Sequence, residues 1–301
     1  MSLVVVLINW HDEEQTLKSV RALRNWQTLK PEILVVDNQS TKASSEKLLH
    51  ELSPEELICS PVNRGYGGGN NVAIKQALEK KKDYILLLNT DAEISEGGVM
   101  QLLERLKSCP DISILGPVIL EHQGNHTRSL IGGRDIARHP NTRVVAELSE
   151  LKAIGGYPLF EVDYVLGAVF LTRGAIFEEI GLLDERYFFS GEIADFCKRA
   201  GNEGHRACTD LEVRAYHDTN KTPLELRESL YLYYSLRNRF LYIKKHYPSE
   251  KLMYFSYWTV LCGLKLAYAL MRWKTAKARA IFLALEHALL NKFGDQNDKF
   301  I

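Results

Sequence analysis

NRGYGGGNN, residues 63–71, sets four glycines among nine residues between two apolar runs, and whether it cradles a dinucleotide decides which α/β fold this is. Read from Gly65 it spells G-Y-G-G-G-N, so the last glycine of a G-x-G-x-x-G pattern is replaced by Asn70. A dinucleotide fingerprint opens the first strand–helix unit of its domain and is followed, about twenty residues on, by an acid at the end of a second strand. Asp83 and Asp91 lie near that distance, but the glycines follow the third apolar run, not the first. That placement argues against a dehydrogenase. The chain also lacks a G-x-x-x-x-G-K-[ST] sequence, which excludes a P-loop NTPase.

Outward from the glycines, LVVVLI (3–8), EILVVD (32–37), LICSP (57–61) and DYILLLN (83–89) are short β-branched or Leu-rich runs, the pattern of strands buried on both faces. Helical spacing between them is clear in Thr16–Trp26, weaker in Ser44–Leu52, and resumes in Asn71–Lys81 directly out of the glycine loop. Strand and helix in alternation predict a largely parallel sheet with right-handed crossovers. Ligands of such sheets sit at the carboxyl ends of strands, where Asn9, Asp37, Asn63 and Asp91 all fall. Residues 121–160 show no sustained period and read as a long excursion of the kind that forms lids. Order returns at VDYVLGAVFLTRGAIFEEIGLLDERYFF (162–189), read as a strand, a helix from about Arg173, and an aromatic cluster. From Leu224 onward the chain reads as wholly helical.

The 301 residues carry 38 Lys plus Arg against 38 Asp plus Glu, so no overall field favours nucleic acid. The balance is uneven along the chain. Residues 226–301 hold 13 basic and 5 acidic side chains, a surplus of +8 that an equal deficit offsets in residues 1–225. The five cysteines are odd in number and form no C-x-x-C pair, which points to a reducing compartment rather than to disulfides or a zinc site.

Two strand ends carry most of the chemistry. Asp37 opens DNQS and fits either a contact to a nucleotide base or a cap on the next helix. In LNTDAE (88–93), Asn89, Asp91 and Glu93 concentrate oxygen ligands after a buried strand, as a hard divalent cation with bound diphosphate would need. INWHDEEQTLKSVRAL, VVDNQS, NRGYGGGNN, LLNTDAEI, the 162–189 stretch and YYSLRNRFLYIKKHYP, taken in that order, resemble the family 2 glycosyltransferases of the rhamnosyltransferase-like bacterial group over roughly residues 3–248.

The resemblance implies an α/β fold of GT-A (Rossmann-like) type, a mixed, mostly parallel sheet flanked by helices with a C-terminal helical extension. It divides the chain into a catalytic domain at 1–223, with a nucleotide-sugar half at about 1–120 and an acceptor half at about 160–223, and a helical region at 224–301. It implies a nucleoside-diphosphate sugar donor, dTDP- or UDP-linked, a Mg²⁺ or Mn²⁺ cofactor, and inversion at the anomeric carbon. Position by position, Asn9 and His11 would line the nucleotide pocket, Asp37 would bind the base, and Asn63, Gly65, Gly69 and Asn70 would shape the nucleotide-sugar cleft. Asn89 and Asp91 occupy the D-x-D position, with Asp91 the metal ligand and Asn89 nearer the ribose. His217, in VRAYHD, matches a histidine that completes the metal shell.

The resemblance breaks at the base. The family's acidic pair followed by x-Asp becomes Glu192-Ile193-Ala194-Asp195, with Ile193 in place of the acid that usually takes the proton. If EIADFCKRA is helical, Glu192 and Asp195 share a face, and Glu192 is the first candidate for the base, Asp195 the second. The competing reading has Glu192 capping the helix and Asp195 paired with Lys198 or Arg199. On that reading the chain is a weak or inactive nucleotide-sugar-binding protein.

In the C-terminal quarter, LMYFSYWTVLCGLKLAYALM (252–271) has one charge in twenty residues. Its length would just span a bilayer, but Ser256, Thr259, Gly263 and Lys265 dilute it, and it fits better an interfacial helix on a membrane surface or a homo-oligomer interface. Acceptors in the group it resembles are glycans or lipid-linked glycans, which places the expected reaction in the cytoplasm, at the inner face of the cell membrane.

Overall fold

The computed structural model describes residues 2–123, 126–145, 156–218 and 224–300. The first half runs β1 (Leu3–Asn9), α1 (Glu13–Arg24), β2 (Glu32–Asn38), α2 (Lys42–Glu51), β3 (Leu57–Ser60), α3 (Gly65–Glu79), β4 (Tyr84–Leu88), β5 (Ala92–Ile94) and α4 (Glu96–Ser108). It continues through β6 (Ile112–Gln123), β7 (His126–Gly133), β8 (Arg143–Val145), β9 (Leu159–Glu161), β10 (Val169–Arg173), α5 (Gly174–Ile180), α6 (Glu192–Asn202) and β11 (Arg206–His217). Three helices finish it: α7 (Leu224–His246), α8 (Lys251–Met271) and α9 (Thr275–Leu289).

The sheet order is β3-β2-β1-β4-β10-β6-β11-β5. β1, β2, β3 and β4 are mutually parallel, β10 runs antiparallel between β4 and β6, and β11 lies parallel to β6. The chain leaves β1 in one direction to build β2 and β3, then returns to its other side for β4, and this reversal opens a crevice beyond the carboxyl ends of β1 and β4. Alternation sorts the β1 side chains onto two cores. Leu3, Val5 and Leu7 face α1, α2 and α4, while Val4 and Val6 face α3, α5 and α6. A third core joins α7, α8 and α9 to Ile136, Ala137, Tyr187, Phe188 and Ala194.

Two expectations need correction. The glycine run is no loop: Gly65 to Asn71 form the first two turns of α3. Nor are 121–123 and 126–133 a structureless excursion, because β6 reaches Gln123 and pairs antiparallel with β7. β7 has only Leu130 and Ile131 to bury, too short an apolar run to show a period, so its pairing with β6 is what the sequence does not signal. The rest of the expected lid lies partly at 146–155, outside the described residues.

Candidate active site

The sheet register places the polar strand ends side by side. Asn9 pairs with Asp37 across β1 and β2. The Asn9 amide nitrogen donates to Asp37 Oδ1 at 3.0 Å and to Ser40 Oγ at 2.8 Å, and its carbonyl oxygen accepts from Thr16 Oγ1 at 2.8 Å. Asn9 is wholly buried and has both faces of its amide engaged, so it braces Asp37 and does not line the pocket as expected. Asp37 is 2% exposed and also accepts from Ser45. The open surface at this end belongs to His11, which lies at a φ of 58° with its Nδ1 accepting from the Thr41 N–H at 3.2 Å. The half-exposed Trp10 packs on it, ring centroids 5.1 Å apart. The sequence reading missed Trp10, whose one signal there is an aromatic between the strand-end Asn9 and His11.

The glycines answer to protein, not to open space. A Cβ on Gly65 would meet the Phe188 carbonyl oxygen at 2.1 Å, one on Gly68 lies 3.3 Å from Glu185, and one on Gly69 lies 3.4 Å from Asn38. Asn63 Oδ1 accepts from the Gly65 N–H at 2.8 Å and from Asn38 Nδ2 at 3.0 Å. Asn70, 1% exposed, donates back to the Tyr66 carbonyl at 2.9 Å. Gly65 thus lets the 183–192 segment close onto α3, Gly69 packs against Asn38 and Ile8, and the side-chain bonds of Asn63 and Asn70 are internal.

That segment delivers the acid. Phe188, Ser190 and Gly191 have φ values of 63°, 69° and 105°, a left-handed run uncommon outside glycine. Asn238 of α7 lies within bonding distance of the carbonyls of Tyr187, Phe189 and Ser190, and Arg237 donates to Tyr187 O at 3.0 Å. These are the last residues before α6, whose N-cap is Gly191, not Glu192. Glu192 is 5% exposed, and its Oε2 is buried without a hydrogen-bond partner. Burial pushes its carboxyl up to about 7 against the pull of local backbone N–H groups, with Asp195 adding to the rise. Glu192 lines a cavity of about 210 Å³ together with Asn89, Tyr66, Arg143, Tyr231 and Arg239.

Asp195 faces the other way. It has no exposed surface and binds Arg199 at 2.9 Å, Lys245 at 2.7 Å and His246 at 2.8 Å, with Tyr187 Oη at 3.3 Å. The second candidate for the base is therefore the centre of an ion cluster joining α6 to α7 and is absent from the cavity wall. Arg199 is the partner the competing reading named, and the larger share of the cluster comes from α7.

Asp91 and His217 meet by register. β5 and β11 pair His217 with Ala92, so its Nε2 lies 3.2 Å from Asp91 Oδ1. β6 and β11 pair it with Glu121, whose Oε1 is 3.3 Å from Nδ1. Burial opposes the imidazolium, but the hydrogen bonds of Asp91 and Glu121 outweigh it and raise the ring to about 9. Glu121, 3% exposed, also binds Arg143 at 2.9 Å, which ties the histidine to the cavity wall. The sequence reading missed Glu121, a lone acid at the end of the apolar run PVILE. Among the described residues no three His, Cys, Asp or Glu side chains converge as a complete metal cage. Asp91, His217 and Glu121 stand in line as carboxylate, imidazole and carboxylate, and His217 could join Asp91 as a metal donor only on giving up the proton the two carboxylates hold on its ring.

A parallel sheet reversing after β1, with its polar residues at the carboxyl edge, is the frame of a GT-A glycosyltransferase. The chain is similar to the structure of GalNAc-T7 with UDP, GalNAc and Mn²⁺, with a TM-score of 0.60, 15% identity, and coverage of 79% of this chain and 47% of that one. It is similar also to the mannosyltransferase PcManGT from Pyrobaculum calidifontis in complex with GDP-Man and Mn²⁺, with a TM-score of 0.56, 14% identity, and coverage of 96% and 87%. Residues 2–158 match Glycosyl transferase family 2, and the chain belongs to that family. A low-salt glycan biosynthesis hexosyltransferase, Agl10, of Haloferax volcanii is 27% identical over 97% of this chain and 92% of its own length. An N-acetylglucosaminyl-diphospho-decaprenol L-rhamnosyltransferase of Mycobacterium tuberculosis is 27% identical over 57% of this chain and 61% of its own length. The chain is a glycosyltransferase.

Proposed function

We propose that this enzyme transfers a sugar, with inversion, from a dTDP- or UDP-linked donor to a hydroxyl of a glycan or lipid-linked acceptor, with Glu192 as the base. The observation that carries this reading is the unpartnered, buried Oε2 of Glu192, a residue that lines the cavity together with Asn89. A carboxylate with a pKa near the working pH is suited to accept a proton in the transition state, whereas a capping carboxylate would have its oxygens engaged. The acceptor O–H gives its proton to Glu192 as the acceptor oxygen bonds to the anomeric carbon. The bond from that carbon to the diphosphate oxygen breaks, and the nucleoside diphosphate leaves. Relatives named for glycan biosynthesis and for a diphospho-decaprenol acceptor support the acceptor class.

Asp91 and His217 would hold a Mg²⁺ or Mn²⁺ ion. Two structures of the same fold, solved with Mn²⁺, support a divalent ion. A cation there offsets the charge on the departing diphosphate. Asn89, lining the cavity, would meet the donor near its ribose, and His11 with Trp10 would take the contact to the nucleobase expected of Asp37, which is 2% exposed.

The test is a panel of nucleoside-diphosphate sugars, assayed with Mg²⁺ or Mn²⁺ for donor binding, transfer and slow hydrolysis. Glu192→Gln should bind donor as before and lose about 100-fold or more in kcat, and the wild-type rate should climb through pH of about 7 as the carboxyl ionises. Asp91→Ala should abolish metal-dependent donor binding. Undiminished transfer by Glu192→Gln would eliminate the base assignment.

A further inference from the structure

Helix α8 has two apolar faces. Trp258, Cys262 and Ala269 point inward and are buried against α7, α9 and the 136–137 segment. Met253, Tyr257, Val260, Leu264, Tyr268 and Met271 recur at the spacing of the opposite face and are all exposed, Leu264 by 64% and Met271 by 71%. Trp273 follows at the end of the helix, 88% exposed. A contiguous apolar face of this length on a soluble surface marks a binding site. Among the described residues no helix is long and apolar enough to cross a membrane.

Charge decides what covers it. From Lys251 to Leu285 the chain has six Lys or Arg and no Asp or Glu. A second copy packed on this face would bring Lys265, Arg272 and Lys274 of both chains together with no carboxylate on the segment to answer them. Anionic headgroups answer them directly, and Tyr257, Tyr268 and Trp273 are side chains suited to the boundary between headgroups and acyl chains. We propose that α8 is a docking surface for an anionic lipid bilayer, lying in the plane of the interface with its Met253–Met271 face buried in it. The surface is one helix away from the cavity: Trp258 of α8 stacks under Arg239 at 4.0 Å, and Arg239 and Tyr231 of α7 line the cavity wall. The docking does not depend on the transfer reaction proposed above.

The experiment is co-sedimentation of the full chain, without donor or acceptor, with vesicles of phosphatidylcholine alone and of equal parts phosphatidylcholine and phosphatidylglycerol. The chain should sediment with the anionic vesicles, be released by high salt, and remain in solution with phosphatidylcholine alone. The Val260→Ser/Leu264→Ser variant, with melting shown to be unchanged, should bind at least about tenfold more weakly, as should Arg272→Gln/Lys274→Gln. Failure of the wild type to sediment, or undiminished binding by the serine variant, would overturn the proposal. So would a concentration-dependent dimer in analytical ultracentrifugation that the serine variant abolishes, which would give the face to a second copy.

Discussion

Gly65 and Gly67 stand two residues apart in one glycine run and answer to different constraints. At Gly65 the backbone lies at a φ of +66°, and a Cβ would sit 2.1 Å from the Phe188 carbonyl oxygen that accepts the Tyr66 N–H at 2.7 Å. Alanine there adds left-handed strain of about 1–2 kcal/mol to a backbone clash that only separating α3 from the Glu192 segment can relieve. Gly67 is ordinary helix, and its added Cβ would rest 3.7 Å from Glu192 Cβ and Leu183 Cβ. Alanine at that position should stabilise by about 0.5–1 kcal/mol, the usual gain over glycine in a helix interior. Urea titrations of Gly65→Ala and Gly67→Ala should therefore move in opposite directions, the first losing more than about 2 kcal/mol. Equal losses would mean that the run serves chain flexibility, not the close approach of the 183–192 segment.

At the scale of an element, α6 holds two buried acids one turn apart and drives them in opposite directions, an arrangement that separates a reactive carboxyl from a structural one. Both are desolvated. Glu192 has no cation and is pushed up to about 7, while His246, Lys245 and Arg199 overcome burial at Asp195 and hold it below the ordinary carboxylate range. The sign of the linkage follows. Asp195 contributes stability that is present above the unfolded pKa of 3.8 and lost as pH falls through its folded value. Glu192, protonated more readily folded than unfolded, makes stability fall as pH rises from 4.5 to about 7. Asp195→Asn removes the buried carboxylate that Arg199, Lys245 and His246 share, leaving Lys245 with Asp184 alone, and should cost about 3–5 kcal/mol at pH 7, a deficit that narrows in acid. Glu192→Gln should flatten the decline between pH 4.5 and about 7. Denaturation at a series of pH values checks both, and parallel slopes for the two variants would contradict the assignment of separate roles.

Across the whole molecule, the sheet and the polar strand ends were legible in the sequence because buried parallel strands write themselves as β-branched runs and the residues that follow them are polar. Ile193 beside Glu192 stood out for a different reason, as the one departure from a short ordered motif, and the role of Glu192 as base is the proposal made above. What the sequence did not carry is long-range. That His217 would be flanked by Glu121 depends on the β6–β11 register, that Asp195 would face Lys245 and His246 depends on how α7 packs, and that Asn9 would turn inward depends on Thr16 and Ser40. Helix α7 is the largest of these surprises. Its Arg237 and Asn238 secure the left-handed run before Glu192, Arg239 binds the carbonyls of Ile136, His139 and Pro140, and Tyr242 and Tyr247 bind Asp135. A chain ending at residue 223 would expose Ile136, Tyr187 and Phe188, which the third core covers. At about 1.5–3 kcal/mol for each large side chain returned to water, with the loss of buried hydrogen bonds added, the change approaches the ~5–15 kcal/mol that holds a domain folded. Residues 1–223 alone should accordingly aggregate or melt without a cooperative transition, whereas the full chain melts as a unit in calorimetry. A folded 1–223 fragment that binds a nucleoside-diphosphate sugar as the full chain does would show that the helices are an attachment to the catalytic fold and not one wall of its active site.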